Sequence, residues 1–289
     1  MRRIKLLICI IVAASVVSCS SIIGNLTEGL TKSLYKQKDI KLIEDGAPAF
    51  LLLIESFIES SPNDKNQLVT GIQTFSAYSS AFVDDKERKK IFSDKTKGWA
   101  LDLLRTYPLF DNYENIEDRD AKDAAFKKFL SGLKKDDVKY VFWAANAWIM
   151  WIIDNLDSMD AFLELPVAKE IVTRIKEIDG DFYYGAPHLF DGVYYSAFPE
   201  NFGGNLKKAK EEFDVALKLS GEEFLTTKLF YATFYLTAIG DKEGFEKILN
   251  EIIDMDIEKY PDTRLLNIVS KSQAEKMIEK VDEMFINLE

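Results

Sequence analysis

His188 is the sole histidine in 289 residues, so imidazole chemistry has one place to happen. Tyr184, His188, Asp191 and Tyr195 follow one another at i, i+4, i+7 and i+11. That spacing puts phenol, imidazole, carboxylate and phenol on one helical face. Such a face can be a hydrogen-bonded cap and core network that orients the loop to Gly203 and Gly204, or it can line a concave cavity and touch a solute. Both readings stand at this stage. Pro187 qualifies the spacing, because a helix that begins there leaves Tyr184 outside. Catalysis would need partners that the sequence does not offer. Ser76 and Ser80 lie inside a helical segment, and there is no G-x-S-x-G elbow, H-E-x-x-H pair, Walker A loop or dinucleotide fingerprint. The chain is therefore read as non-enzymatic, with no cofactor and no metal site.

A second group lies on one apolar segment. Trp148 and Trp151 are i, i+3 neighbours, with Trp143 on the same broad face and Asn146 among them. Aromatic stripes at this spacing commonly form core. Tryptophan beside an amide is also how solute pockets combine stacking with orientation. Gly203 and Gly204 are assigned to loop geometry, since glycine tolerates positive φ. The run Lys86-Glu-Arg-Lys-Lys90 is a solvated helix face that could meet an acidic partner patch.

These groups must be held by long helices. Apolar residues make up 47% and charged residues 29%, a globular balance, and 14 Gly with 7 Pro leave few breakers. Helices are expected over 47–60, 67–83, 86–105, 121–133, 136–154, 167–178, 184–198, 206–219, 224–239, 244–253 and 265–285, with 107–120 polar and irregular. No window alternates at period two for long enough to make a sheet. The fold class is all-α. The segments come in pairs, and Gly192 and Tyr195 with Ala209, Phe213 and Ala216 resemble the tetratricopeptide pattern once about five extra residues are allowed in the loop from Phe198 to Gly204. Pair starts near Asp137, Tyr183 and Leu225 are spaced more widely than the ~34 residues of that repeat. The expectation is a degenerate tetratricopeptide-like helical-repeat solenoid with a concave cavity. A plain irregular all-α domain is the alternative.

The N-terminus reads as an export signal. Arg2, Arg3 and Lys5 precede an apolar run from Leu6 to Val17, too short to span a bilayer. Val16-Val17-Ser18-Cys19 then resembles a bacterial lipobox, with Val where Leu is usual. Cys19 is assigned as the lipid anchor; an ordinary secretory signal with an incidental Cys19 is the alternative. Cys9 lies in the signal, so the mature fold holds neither a disulfide nor a thiolate site. Residues 1–18 are the signal peptide, 19–45 a tether and N-terminal helix, and 46–289 the helical-repeat domain. Loss of Arg2, Arg3 and Lys5 takes the net charge from −11 to −14. A surface this acidic disfavours nucleic acid.

The run from Asp181 through Tyr195, then Pro199, Gly203-Gly204-Asn205-Leu206, Lys208-Ala209, Phe213 and Ala216 to Ser220, resembles the TatT family. Its members are tetratricopeptide-like lipoproteins associated with tripartite ATP-independent periplasmic (TRAP) transporters. Phe142 to Trp148, Leu165-Pro166 with Arg174, and Leu265-Leu266-Asn267 agree with it. The resemblance implies a membrane-tethered periplasmic protein that works with a solute-binding protein and carries a cavity or pore for ligand handover. A homo-oligomer is open. The competing function is a lipoprotein scaffold for envelope or outer-membrane assembly, with a helical hydrolase further behind.

Overall fold

Acidic and amide side chains start six of the helices. Asp39, Asp64, Asp85, Asp118, Asn205 and Asp241 each accept a hydrogen bond from a first-turn backbone N–H. Each satisfies a donor that has no partner inside its helix. The computed structural model describes residues 36–155 and 158–286 together with Gly29 and Ser33; the signal segment and Cys19 lie outside the described residues. Helices α1 (Ile40–Ser60), α2 (Lys65–Phe82), α3 (Lys86–Arg105), α4 (Pro108–Glu114) and α5 (Arg119–Gly132) come first. A short 3-10 turn, Lys135–Asp137, leads into α6 (Val138–Asp154), followed by α7 (Met159–Asp179), α8 (Phe182–Ala197) and α9 (Leu206–Ser220). Helix α10 (Leu225–Phe230) runs into a π-helical turn, Tyr231–Leu236, before α11 (Lys242–Asp254), α12 (Arg264–Ile278) and α13 (Val281–Ile286). The described residues contain no strand, and the protein is all-α.

Several boundaries differ from the sequence reading, each for a physical reason. Helix α1 starts before Pro48 and α7 before Pro166, although both prolines remove an intrahelical donor. Buried stripes override the breakers: Ile43, Ala47, Leu51, Ile54 and Ile58 in α1, and Ala161, Leu165, Ala168, Ile171 and Ile175 in α7. The stretch 107–120, expected to be irregular, holds α4, with Pro108 at the first helical position and Phe110 fully buried. The long helix expected over 265–285 breaks between α12 and α13.

Consecutive helices pack against each other from α1 to α4, and α3 also lies along α6. The most extensive helix–helix packing is between α8 and α9. There Gly192 faces the Phe213 ring, where an added Cβ would come within 2.8 Å of ring carbons. Ala209, Phe213 and Ala216 are fully buried. One large core runs through α1–α7, and a second is built from α10–α13. Leu189, Phe213 and Ala216 form a small cluster between them.

Candidate functional site

Three chambers adjoin where the two cores meet. The first, about 160 Å³, is apolar and lies among α1, α2, α10 and α12, with Phe50, Phe82, Phe230 and Leu265 in its walls. The second, about 190 Å³, is polar and sits where α2, α3, α6 and α12 converge. Ser80 and Gln273 line both of these. The third, about 220 Å³, is apolar and lies among α6, α7, α8 and the α10 segment. It shares Met150 with the polar chamber and Phe230 with the first. Size and lining suit a solute better than packed core does, since ligand sites are largely apolar with a few placed polar groups.

Of the residues singled out in the sequence, Asn146 lies on a chamber wall. Asn146, Ile149 and Ile153 form the strip of α6 that faces the third chamber. Trp148 follows Asn146 by two positions, about 200° around the helix, and so points away. Neither Trp148 nor Trp151 lines any of the three chambers. The Trp148 indole donates to Glu164, and Glu164 pairs with Lys97 at 2.7 Å. Lys97 sits 3.2 Å over the Trp151 ring, and the Trp151 indole donates to Asp94 at 2.6 Å. This polar seam joins α3, α6 and α7. Trp143 packs edge-on against Tyr183 at 4.9 Å, again off the chambers.

The α8 face is also turned inward to its neighbours. Asp191 is 1% exposed and accepts from both Lys169 and Lys176. Lys176 pairs with Glu212 at 2.6 Å, and the other Glu212 oxygen lies 2.6 Å from His188 Nδ1. The result is an alternating chain, Lys169–Asp191–Lys176–Glu212–His188, across α7, α8 and α9. His188 and Asp191 thus sit in a hydrogen-bonded network, and neither lines any of the three chambers. Burial pulls the Lys176 ammonium down, but hydrogen bonds to Asp191 and Glu212 outweigh it and hold its pKa above 10.5. That stabilisation is complete below the ordinary lysine value and is lost as pH rises through the raised one. Tyr195 lies beside this chain, with Lys169 and Lys208 at 5.2 Å and 5.5 Å from its ring centre. Its neighbour Tyr194 meets the third chamber instead.

Tyr184 leaves the helical face altogether. Tyr183, Tyr184 and Gly185 have φ of 45°, 60° and 75°, so α8 is broken there. The Tyr184 ring stacks on Phe224 at 4.7 Å. Gly203 is left-handed at φ 94° and caps a short 3-10 turn. At Gly204 a Cβ would fall 1.6 Å from the Phe198 carbonyl oxygen, while its N–H donates to Pro199 at 3.0 Å. Gly204→Ala is therefore expected to force the turn apart and to cost about 1–3 kcal/mol. Urea unfolding of that variant measures the loss, and a change within experimental error would show that the turn relaxes freely.

The chamber walls supplied by α1, α2, α10 and α12 escaped the sequence reading. A usable signal was present in α2, where Ser76, Ser79 and Ser80 follow one another among small residues. Among the described residues, no three His, Cys, Asp or Glu side chains are placed to hold a metal ion.

The model of the TRAP transporter T-component family matches residues 36–285. The chain belongs to this family. It is also similar to a protein of Treponema pallidum (strain Nichols) described as uncharacterized. The two are 22% identical over 276 residues, covering 89% of this chain and 84% of the relative. Family membership associates this T-component with a TRAP transporter. The family-like residues quoted from the sequence have tasks in holding the T-component fold. Asn267 is fully buried, accepts from Leu225 N at 3.0 Å and donates to the Glu223 carbonyl at 3.0 Å, fixing the entry to α10. Arg174 donates to the Leu130 carbonyl at 3.1 Å, satisfying the end of α5. No helix among the described residues is long and apolar enough to cross a membrane.

Proposed function

We propose that this T-component docks the periplasmic solute-binding protein of a TRAP transporter and hands over a small ligand through the adjoining chambers. The observation that carries the reading is the run of three chambers between the two cores, in a chain of this family. Handover needs neighbouring sites for the ligand, and chambers that share wall residues set such sites side by side. The helix pairs act as a degenerate tetratricopeptide-like solenoid. The α8–α9 pair supports this, because Gly192 admits Phe213 as the repeat pattern requires. Cys19 carries acyl chains that tether the protein at the periplasmic face of a membrane, alone or as a homo-oligomer. The basic n-region, apolar run and Ser18-Cys19 boundary support that anchor.

Native mass spectrometry of membrane-extracted protein, mixed with a TRAP solute-binding protein from the same organism, tests these points together. The expected spectrum shows an acyl mass on the chain that begins at Cys19 and a complex of fixed stoichiometry. An unmodified N-terminus would remove the anchor. Absence of the complex at micromolar protein, or capture of an outer-membrane assembly factor instead, would remove the docking role.

A further inference from the structure

The polar chamber differs from its two apolar neighbours in having hydroxyls, an amide and both signs of charge. Ser76, Ser79, Ser80, Lys89, Asp154 and Gln273 all line it. Helical Ser and Thr hydroxyls ordinarily bond back to a carbonyl one turn earlier. Elsewhere in α1 and α2 they do so: Ser60 to Ser56 at 2.8 Å, Thr70 to Asn66 at 2.8 Å and Thr74 to Thr70 at 2.7 Å. Among the described residues, the side chains of Ser76, Ser79, Ser80 and Gln273 make no such bond and have no other protein partner. Ser80 is exposed and Ser76, Ser79 and Gln273 are half-buried, so all four groups reach solvent and are free to bond a guest or water.

The charges repeat this pattern. On α3, Lys90 bonds Asp94, Lys95 bonds Glu55 and Lys97 bonds Glu164. Lys89, half-buried between them, closes on no acidic side chain among the described residues. Asp154 faces the same chamber and feels the Lys89 charge, yet the two form no ion pair. Asp154 stands at the solvent edge. Desolvation nevertheless raises its carboxyl pKa, with Ser93, Lys89 and Lys90 pulling it back. A cation and an anion held apart across a small hydroxyl-rich space, with apolar space on either side, match a ligand that carries both charges and an apolar tail.

We infer that the polar chamber binds the zwitterionic head of an apolar α-amino acid. Its carboxylate meets Lys89 and the serine hydroxyls, its ammonium meets Asp154, and its side chain enters an adjoining apolar chamber. The first chamber receives the tail most directly, because Ser80 and Gln273 stand at the shared wall and Phe82 and Phe230 lie beyond. The assignment rests on the reading that these chambers hold the transported solute.

Isothermal titration calorimetry on the full mature chain tests it. The probes are L-leucine, L-methionine and L-phenylalanine, each with its deaminated acid and its decarboxylated amine. At least one amino acid is expected to bind about tenfold or more tighter than both of its single-charge analogues, the scale of one charge-assisted hydrogen bond. Lys89→Met should bring the amino acid down to its amine, and Asp154→Asn should bring it down to its acid, with melting temperatures within a few degrees of the parent. Binding of the acids as tightly as the amino acids, or of none of the nine probes, overturns the inference without any variant. The docking role fails separately: a solute-binding protein that still co-purifies while every probe is silent removes the ligand class alone. Amino acid binding without a complex removes the docking role alone.

Discussion

Asp191→Ala is expected to lose about 3–5 kcal/mol of folding stability, because it strands Lys169 and Lys176 around a site that water barely reaches. In the native protein Asp191 is the ion-pair partner of Lys169 and shares Lys176 with Glu212, so its carboxylate offsets most of the cost of desolvating the two ammonium groups. Removing it takes away the Coulomb term and leaves the desolvation cost. Asp191→Asn keeps the shape and one acceptor and should lose less. The triple change Lys169→Met, Asp191→Leu, Lys176→Met removes every member of the inner cluster and should recover most of the deficit, since apolar groups of similar volume replace buried ion clusters with little penalty. Urea unfolding followed by circular dichroism orders the three variants. A loss below about 1 kcal/mol for Asp191→Ala, the scale of an exposed pair, would mean that the cluster is hydrated and that its role in holding α7, α8 and α9 together is small.

Trp148→Ala is expected to lose a comparable amount, about 3–5 kcal/mol, as truncation of a buried aromatic leaves a cavity behind. Trp148 is 5% exposed, and its indole nitrogen is a partner of Glu164. The substitution therefore weakens the α3–α6–α7 seam as well as the core. The chamber-facing strip of α6 is left in place, so ligand affinity per folded molecule should stay within about twofold of the parent, well under the tenfold of one strong contact. Titration of the folded fraction separates the two effects. A large affinity loss with an unchanged melting curve would put Trp148 back into a binding site.

The class of the fold was open to reading because helical periodicity and the scarcity of breakers agree along the whole chain. Helix α3 was placed to the residue, since Asp85 starts it and Arg105 closes it. The starts of α1 and α7 were hidden because Pro48 and Pro166 look like boundaries locally, and only tertiary burial of Ile43 and Ala161 shows otherwise. The α8 face was half legible. The i, i+3 relation of His188 to Asp191 holds in the helix, whereas a left-handed break at Tyr183 and Tyr184 has no marker in the sequence beyond Gly185 and Pro187. The contacts of that face were not legible at all, because Lys169, Lys176 and Glu212 come from other helices. The chambers were the least visible feature. Their walls combine α1 with α12 and α2 with α6, and sequence spacing carries no information about which distant helices close around a common space.

The π-helical turn at Tyr231–Leu236 bears on how the chain tolerates change in length. A π turn holds one residue more than an α turn over the same rise, so it acts as an insertion absorbed without shifting the C-terminal helices. In this chain the wide turn lets Phe230 and Phe234 both reach the third chamber while Leu236 returns to the C-terminal core. Loss of a single residue there would restore regular α winding and leave the helices downstream in place. The change would stay local to the two rings at the chamber wall, while Leu236 keeps its core. Length at this segment can thus vary by one residue more readily than inside an ordinary α-helix, where the same loss would rotate all that follows by about 100°.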